Sequence, residues 1–253
     1  MNCMKKRKET YFLIFLIFLL FAINYSTIDD YLNKISFNID KEDLNVKRVI
    51  DGDTLVVGNN TSVRLFGINS PEKGELFYEE AKIFLNDLVL NQTIFIESFG
   101  KDKYYRELGI IFFNEENINV KLVEEGLANV YLLKDKSYEK ELREAWEECI
   151  SNNRNLCEKS ENKCAECIQL KDLDIIKGEL LLYNKCDFSC DLTGWSIKDE
   201  GRKKFIFDET RLPGRNEIKI TDKDFGKDYV WTLTGDSLFL RDDGNMLVLW
   251  VSY

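Results

Sequence analysis

The chain has 253 residues, 44% of them hydrophobic, which is enough for one large or two modest globular domains. Its formal net charge of -10 argues against broad electrostatic capture of nucleic acid, because such capture needs a basic face. The chain contains no histidine, which excludes Ser-His triads, histidine acid-base catalysis and histidine-ligated zinc.

A basic stretch at residues 5–8 precedes an almost wholly apolar run at residues 11–23, which is the layout of an export signal. The run is short for a membrane span, which needs about 20 apolar residues, and a poor cleavage site follows it. We therefore predict a signal or membrane anchor over residues 1–25, with the uncleaved anchor slightly favoured. The protein would then be secreted or membrane-anchored, with a polar linker at residues 26–43.

The next stretch predicts a β-hairpin whose open end is rich in polar side chains. Strands are predicted at residues 54–58 and 62–68, because β-branched runs flank an Asn-Asn-Thr turn. A hairpin brings its two ends together, so polar residues from both ends should meet. These residues, with one arginine of the second strand, are Asp51, Asp53, Arg64, Asn69, Ser70 and Glu72.

These residue types fit the hydrolysis of a phosphodiester. Carboxylate and carbonyl oxygens suit a hard cation such as calcium. An arginine clamps a phosphate through two parallel hydrogen bonds, and a spare carboxylate accepts a proton from water. Each residue alone has an ordinary explanation as a turn or helix-terminal residue, but together they indicate a catalytic site.

The letters D-G-D-T, R-L and N-S-P-E of this stretch resemble the core of the staphylococcal nuclease (thermonuclease) family, whose pattern is D-G-D-T, R-L and D-T-P-E. Two further segments agree with that family. Residues 101–106, K-D-K-Y-Y-R, resemble its D-K-Y-G-R turn, and residues 122–128, L-V-E-E-G-L-A, resemble its L-V-R-Q-G-L-A helix. The three segments occur in family order and spacing over roughly residues 45–158, so chance is a poor explanation.

The resemblance implies a calcium site. Asp53 matches the family's first carboxylate ligand, Asn69 stands where a second aspartate is usual, and Ser70 matches a residue that offers its backbone carbonyl. Asp51 matches a nearby acid that supports the metal. Asn69 removes one negative charge, which should weaken calcium binding. Tyr105 replaces a family glycine, so it is strained if that turn needs a positive φ.

The resemblance also implies the catalytic roles. Glu72 matches the water-activating glutamate, and Arg64 and Arg106 match the arginines that bind the phosphate. Lys103 and Tyr104 match residues that contact the nucleotide. The implied activity is that of a calcium-dependent endonuclease, with DNA, RNA or both as substrate.

Apolar periodicity predicts the remaining elements of this region. They are strands at residues 46–50, 93–99 and 108–113, and helices at residues 75–90, 117–127 and 138–150. The first helix should bury a stripe of Phe77, Ala81, Phe84 and Leu88. Five strands with three helices fit an α+β five-stranded barrel of oligonucleotide-binding (OB) type, the fold that the resemblance implies. We assign this nuclease-like domain to residues 44–158.

Six cysteines crowd into a short stretch around a predicted linker at residues 159–172: Cys149, Cys157, Cys164, Cys167, Cys186 and Cys190. An even number of cysteines after an export segment favours three disulfides. The last four also have the spacing of a four-thiolate structural zinc site, which we rate second.

Residues 173–253 show short strands at regular intervals, which is typical of an all-β sandwich. The letters L-T-G-W-S-I-K-D, followed by G-D-S-L-F-L-R-D-D-G-N, resemble the lamin-tail domain, an immunoglobulin-like sandwich. This resemblance implies a binding or tethering module whose ligand is unknown. Trp195 is expected in its core.

Two functions from different classes follow. The first is a calcium-dependent nuclease with a tethering module. The second is a catalytically inactive nuclease-fold protein that binds nucleic acid or a surface, which the acidic charge and Asn69 motivate. The presence of Arg64, Arg106 and Glu72 favours the enzyme.

Overall fold

The computed structural model describes residues 43–58, 60–131 and 137–253. The predicted export segment, residues 1–25, lies outside these residues, as does nearly all of the predicted linker. No helix in these three ranges is long and apolar enough to cross a membrane.

The first half of the described chain is built around a closed barrel. Its strands are β1 (Asp43–Asp51), β2 (Thr54–Val57), β3 (Thr61–Leu65), β4 (Ile68–Asn69), β5 (Thr93–Lys101), β6 (Glu107–Phe113), β7 (Glu116–Asn117) and β8 (Asn129–Val130). Five strands pair in the order β3-β2-β1-β5-β6, and a parallel pairing of β3 with β6 closes the barrel. β7 extends the sheet beyond β6, and β4 pairs with β8 as a separate ribbon. The predicted five-stranded OB-type barrel is confirmed.

Three described helices pack against the barrel: α1 (Tyr78–Val89), α2 (Ile118–Glu124) and α3 (Glu139–Asn152). α1 begins three residues later than predicted because Phe77, which precedes it, has a left-handed φ of 67°. Its fully buried residues are Ala81, Leu85 and Val89, while Phe77, Phe84 and Leu88 of the predicted stripe are partly buried and pack against the same core. α2 ends before Gly126, where a Cβ would lie 2.4 Å from the Arg154 carbonyl oxygen.

The remaining strands form what we call the C-terminal module, residues 168–253. They are β9 (Ile168–Asp174), β10 (Glu179–Asn184), β11 (Cys190–Asp191), β12 (Ser196–Lys198), β13 (Lys204–Ile206), β14 (Arg211–Leu212), β15 (Glu217–Thr221), β16 (Ser237–Arg241) and β17 (Leu247–Ser252). They make a three-stranded sheet (β15-β10-β9), a four-stranded sheet (β13-β12-β16-β17) and a ribbon of β11 with β14. All of these pairings are antiparallel. The module has its own hydrophobic core, in which Trp195 is buried.

The barrel and the C-terminal module share part of one hydrophobic core. Phe239 and Leu247 of the module are buried in the same cluster as Trp146 of α3. The Phe239 and Trp146 rings meet edge to face with centroids 5.5 Å apart. The chain leaving the barrel also pairs with β17, since the Leu247 N–H donates to the Glu158 carbonyl at 2.7 Å. The module is therefore held against α3 by apolar packing and by backbone hydrogen bonds.

The described cysteines form three disulfides: Cys149–Cys157, Cys164–Cys190 and Cys167–Cys186. The last four cysteines thus pair two by two and do not converge on a zinc ion. Two bridges tie the segment after the barrel to the module, and the third ties the end of α3 to the turn that follows it. Each bridge restricts the unfolded chain, and such a bridge typically contributes about 2–4 kcal/mol.

Phe239 should carry much of the stability of the shared core. Truncating a buried phenylalanine usually costs about 3–5 kcal/mol, so Phe239→Ala should lower the free energy of unfolding by that amount. Chemical denaturation measures it. As control, Ile176→Ala removes a side chain that is 89% exposed and should change stability by less than about 0.5 kcal/mol. Equal effects of the two substitutions would show that the shared core contributes nothing.

Candidate active site

The Asp53 carboxylate is the centre of the predicted site. It is buried, at 6% exposure, and lies in the turn between β1 and β2. Its Oδ2 accepts hydrogen bonds from the Ser70 backbone N–H at 2.8 Å and the Ser70 hydroxyl at 2.9 Å, and its Oδ1 accepts one from the Thr54 hydroxyl at 3.0 Å. Gly52 permits this approach, because a Cβ there would lie 2.8 Å from the Ser70 Cβ. The two ends of the hairpin therefore meet as predicted.

Arg64 projects from β3 and connects Asp53 with Asn69. Its Nη2 lies 3.1 Å from Asp53 Oδ2 and donates to Asn69 Oδ1 at 3.1 Å, while Nη1 donates to the Leu65 carbonyl at 2.8 Å. Burial lowers the pKa of Arg64, and the Asp53 charge partly offsets this effect. Arginine stays protonated in proteins. The guanidinium has five N–H groups, and those that make none of these three contacts can donate to another acceptor. Asp53 and Asn69 thus already converge on one positive group.

Asp51 lies beside this cluster, and its Oδ1 accepts a hydrogen bond from the Asp53 backbone N–H at 3.2 Å. Burial, and then the nearby Asp53 charge, raise the pKa of Asp51. The two neighbouring carboxylates repel each other, and a bound cation would relieve this repulsion. Local negative charge is therefore concentrated at this turn.

The turn between β5 and β6 presents Arg106 and Tyr104. Asp102 accepts hydrogen bonds from the backbone N–H groups of Tyr104 and Arg106 and from Arg106 Nε at 2.8 Å. Burial opposes ionisation of Asp102, but these bonds outweigh it and hold its pKa below the ordinary value. Arg106 Nη1 also reaches the Thr54 hydroxyl at 3.5 Å, and Lys103 lies 5.0 Å from the Tyr104 ring centroid. Tyr105 has φ 62°, so the strained position anticipated for this residue is present.

Glu72 is placed differently from the other predicted residues. It follows Pro71 in the loop before α1, and its carboxylate, half-exposed, pairs with Arg202 of the C-terminal module. No sequence pattern connects Arg202 with this site, because Arg202 and Glu72 are far apart in the chain and the resemblance to the nuclease family ends before the module. A run of charged residues around position 202 was the only available signal.

A cleft of about 800 Å³ opens between the barrel and the C-terminal module. Its basic lining residues are Arg64, Lys101, Lys103, Arg106, Arg202 and Lys203. Tyr104 stands at this cleft with 67% of its surface exposed. Four acidic residues, Asp102, Asp199, Glu200 and Asp236, also line the cleft, so its six basic residues are in excess although the chain as a whole is acidic.

Two further asparagines, which sequence reasoning missed, hold the site in place. Asn119 is fully buried, accepts from the Ile111 N–H, and donates to the carbonyls of Phe66 and Gly109. It thereby fixes the chain after β3 against β6. Asn129 pairs with Asn69 across the β4–β8 ribbon, and its Nδ2 donates to the Glu200 carbonyl of the C-terminal module. A single buried amide has no sequence pattern that distinguishes it from a surface asparagine.

The oxygen atoms around Asp53 fit a hard cation better than a soft one. Asp53, Asp51, Asn69 and Ser70 offer carboxylate, amide, hydroxyl and backbone oxygens without any thiolate or imidazole. Across the described part of the chain, no three Asp, Glu, Cys or His side chains form a group that could hold a metal ion. A cation at this site would therefore complete its shell with neutral oxygens and water, which is typical of weak calcium sites.

The Asp199 carboxylate lies on the module side of the cleft and is buried at 5% exposure. Its Oδ1 accepts from the Lys203 backbone N–H at 2.9 Å, and its Oδ2 lies 3.7 Å from Lys203 Nζ. Burial raises the pKa of Asp199 to about 6; the hydrogen bond from the Lys203 backbone opposes this shift, and the charge of Asp236 adds to it. The contacts with Lys203 therefore do not fully offset the cost of burying the Asp199 charge.

Comparison with known proteins identifies similar sequences for the barrel. The profile of a family described as staphylococcal nuclease homologue matches residues 62–159, a range that contains Arg64, Asn69, Ser70, Glu72 and Arg106. A thermonuclease of Staphylococcus intermedius is 32% identical over 136 residues, which are 49% of this chain and 81% of that protein. A micrococcal nuclease of Shigella flexneri is 34% identical over 117 residues, which are 39% of this chain and 67% of that protein.

An uncharacterized endonuclease of Haemophilus influenzae is also similar, with 36% identity over 96 residues. These are 36% of this chain, and the chain spans only about half, 54%, of that relative's length. None of the matches described here covers more than half of this chain, so the similarity concerns the barrel region.

Asp199 should make stability depend on pH. Its folded-state pKa, about 6, lies above the ordinary 3.8, so the folded protein binds the proton more tightly and loses stability as pH rises from about 4 to about 6. Asp199→Asn keeps the acceptor for Lys203. Relative to wild type, this variant should gain up to about 3 kcal/mol between pH 4 and pH 7.5, measured by chemical denaturation.

Asp191→Asn is the matched control for this titration. The Thr193 hydroxyl and backbone N–H lower the pKa of the exposed Asp191 carboxylate, so the sign is reversed. The contribution of Asp191 is almost fully present above pH 4 and is lost only as pH falls further, so its asparagine variant should keep a nearly constant difference from wild type between pH 4 and pH 7.5. If Asp199→Asn tracked wild type at both pH values, the buried carboxylate would not carry the charge cost inferred here.

Proposed function

The chain belongs to the staphylococcal nuclease family, and on this premise we propose that it is a calcium-dependent nuclease that hydrolyses phosphodiester bonds of DNA, RNA or both. The observation that carries the proposal is the convergence of Asp53, Arg64 and Asn69 with Arg106 at a cleft lined by basic residues. This combination of oxygen ligands and guanidinium groups suits a phosphodiester, because the oxygens hold a cation and the guanidinium groups bind phosphate oxygens.

The two arginines bind the scissile phosphate in this proposal. Arg64 is held rigidly by Asp53, Asn69 and the Leu65 carbonyl, and Arg106 is held by Asp102, so neither side chain must be ordered when substrate binds. Preorganised donors of this kind stabilise the charge that develops on the phosphoryl oxygens in the transition state. Tyr104, exposed at the cleft, offers a face on which a base of a single strand stacks.

Glu72 is the proposed general base. Its half-exposed carboxylate accepts the proton of the attacking water, after it has parted from Arg202. Asp53, Asn69 and Ser70, supported by Asp51, would hold the calcium ion. When bound, calcium supplies positive charge that stabilises the phosphoryl oxygens in the transition state.

The location and the second module complete the proposal. The three disulfides support an oxidising, extracytoplasmic environment, where a secreted or membrane-anchored nuclease would work. We propose that the C-terminal module, which resembles a lamin-tail domain, also tethers the enzyme to a ligand outside the barrel.

Removing the proposed base or a phosphate-binding arginine should abolish most of the activity. Glu72→Gln should lower kcat by about 10²–10⁴ and Arg106→Ala by about 10²–10³. The measurement is turnover of a single-stranded oligodeoxynucleotide by residues 26–253 with saturating calcium, and again with a chelator. Circular dichroism verifies that each variant is folded.

Arg48→Ala is the control for that experiment. Arg48 is an exposed arginine of β1, outside the proposed machinery, and its removal should leave kcat unchanged. Wild-type turnover in folded Glu72→Gln and Arg106→Ala would contradict the mechanism. A wild-type protein that binds the oligonucleotide and never cleaves it would favour the inactive binding protein instead.

A further inference from the structure

We propose that Arg202 of the C-terminal module is a substrate-binding residue, which contacts a phosphate of the bound strand next to the scissile one. This inference rests on the proposed nuclease function and adds a part of the site that the barrel lacks. The structural basis is a loop of the module, residues 199–203, which we call the cleft loop and which lines the cleft opposite Arg64 and Arg106.

Two side-chain amides of the barrel fix the cleft loop at the site. Asn69 Nδ2 donates to the Gly201 carbonyl at 3.3 Å, and Asn129 Nδ2 donates to the Glu200 carbonyl at 3.0 Å. Asn69 and Asn129 are partners across the β4–β8 ribbon, so they reach the loop side by side. One of the two amides belongs to the predicted calcium-ligand set, and this brings the loop directly to the catalytic centre.

The module anchors the cleft loop from behind. Glu200 is buried at 3% exposure, and its carboxylate accepts from the Ser237 hydroxyl at 2.7 Å and lies 3.7 Å from Arg143 Nη2 of α3. The Glu200 backbone N–H donates to Asp236 Oδ1 at 3.2 Å. The loop is therefore held from both sides, and Arg202 extends from a rigid base.

Arg202 is the charge of the cleft loop that remains available to a ligand. The loop's acids, Asp199 and Glu200, are buried, and Lys203 Nζ is engaged by the Val230 carbonyl at 2.6 Å and by Asp199. The Arg202 side chain, in contrast, is 66% exposed and forms an ion pair with the half-exposed Glu72. The charge that this loop offers to the cleft is thus positive, which suits a phosphate.

The pairing with Glu72 positions Arg202 without immobilising it. An ion pair between exposed side chains is weak, so a phosphate of the substrate can take the place of the carboxylate. Arg202 would then leave Glu72 free to act as base at the moment when the strand is bound. Replacing Glu72 by a substrate phosphate as the partner of Arg202 would thus bind the strand and release the proposed base together.

The test measures binding separately from cleavage. Fluorescence anisotropy with a labelled single-stranded oligodeoxynucleotide, in chelator to prevent hydrolysis, gives the affinity at several salt concentrations. Arg202→Ala should weaken binding roughly fivefold and reduce the log–log salt slope by about 0.7, the share of one phosphate contact on a single strand. Arg202→Lys should keep the slope, because it keeps the charge.

Arg211→Ala is the matched control, since Arg211 is a similarly exposed arginine of the module that pairs with Asp191 away from the cleft. It should leave affinity and slope at the wild-type values. If Arg202→Ala also keeps wild-type affinity and slope, or binds more tightly, the proposal is overturned even when the protein cleaves DNA with calcium. A loss confined to Arg202→Ala supports it, and wild-type cleavage in calcium tests the nuclease function independently.

Discussion

The structure of the site depends on one buried ion pair, Asp53 with Arg64. Both side chains are less than 10% exposed, and a buried charge is costly unless it is paired and hydrogen-bonded. The partners that satisfy Asp53 come from Thr54 at the start of β2, from β3 and from the loop that carries Ser70. Neutralising this charge therefore fixes three segments relative to one another, and the same contacts bring together the groups proposed to bind calcium and phosphate.

The C-terminal module gives a physical reason for the amide at position 69. An aspartate there would add ligand charge, but its carboxylate has no N–H to donate to the Gly201 carbonyl. Asn69 keeps an oxygen toward Arg64 and turns its nitrogen toward the module. In the proposed calcium site, the departure from the family pattern would exchange part of the cation affinity for a contact between the barrel and the cleft loop. Together with the packing of Phe239 against Trp146, this contact attaches the module to the barrel next to the proposed site.

The sequence was informative wherever the signal was local. The hairpin around Asp53, the five strands and the three helices follow from alternation, turn residues and helical spacing. The left-handed φ at Tyr105 could be anticipated because a glycine is usual there. The start of α1 could not be predicted, because Phe77 adopts a left-handed φ, which is rare for a bulky residue. No sequence pattern predicts the roles of Arg202, Asn129 and Asn119, because these roles arise from contacts between residues that are far apart in the chain.

The most direct test of the central claim is a calcium titration by calorimetry that compares wild type with Asn69→Asp and Asn129→Asp. If Asp53 and position 69 share one cation, the added charge in Asn69→Asp should tighten calcium binding. Asn129→Asp removes the hydrogen bond from Asn129 to the Glu200 carbonyl of the cleft loop. Position 129 is not a proposed calcium ligand, so this variant should bind calcium as wild type does. A gain in affinity cannot come from damage to the fold. Equal calcium affinity in all three proteins would contradict the site described here.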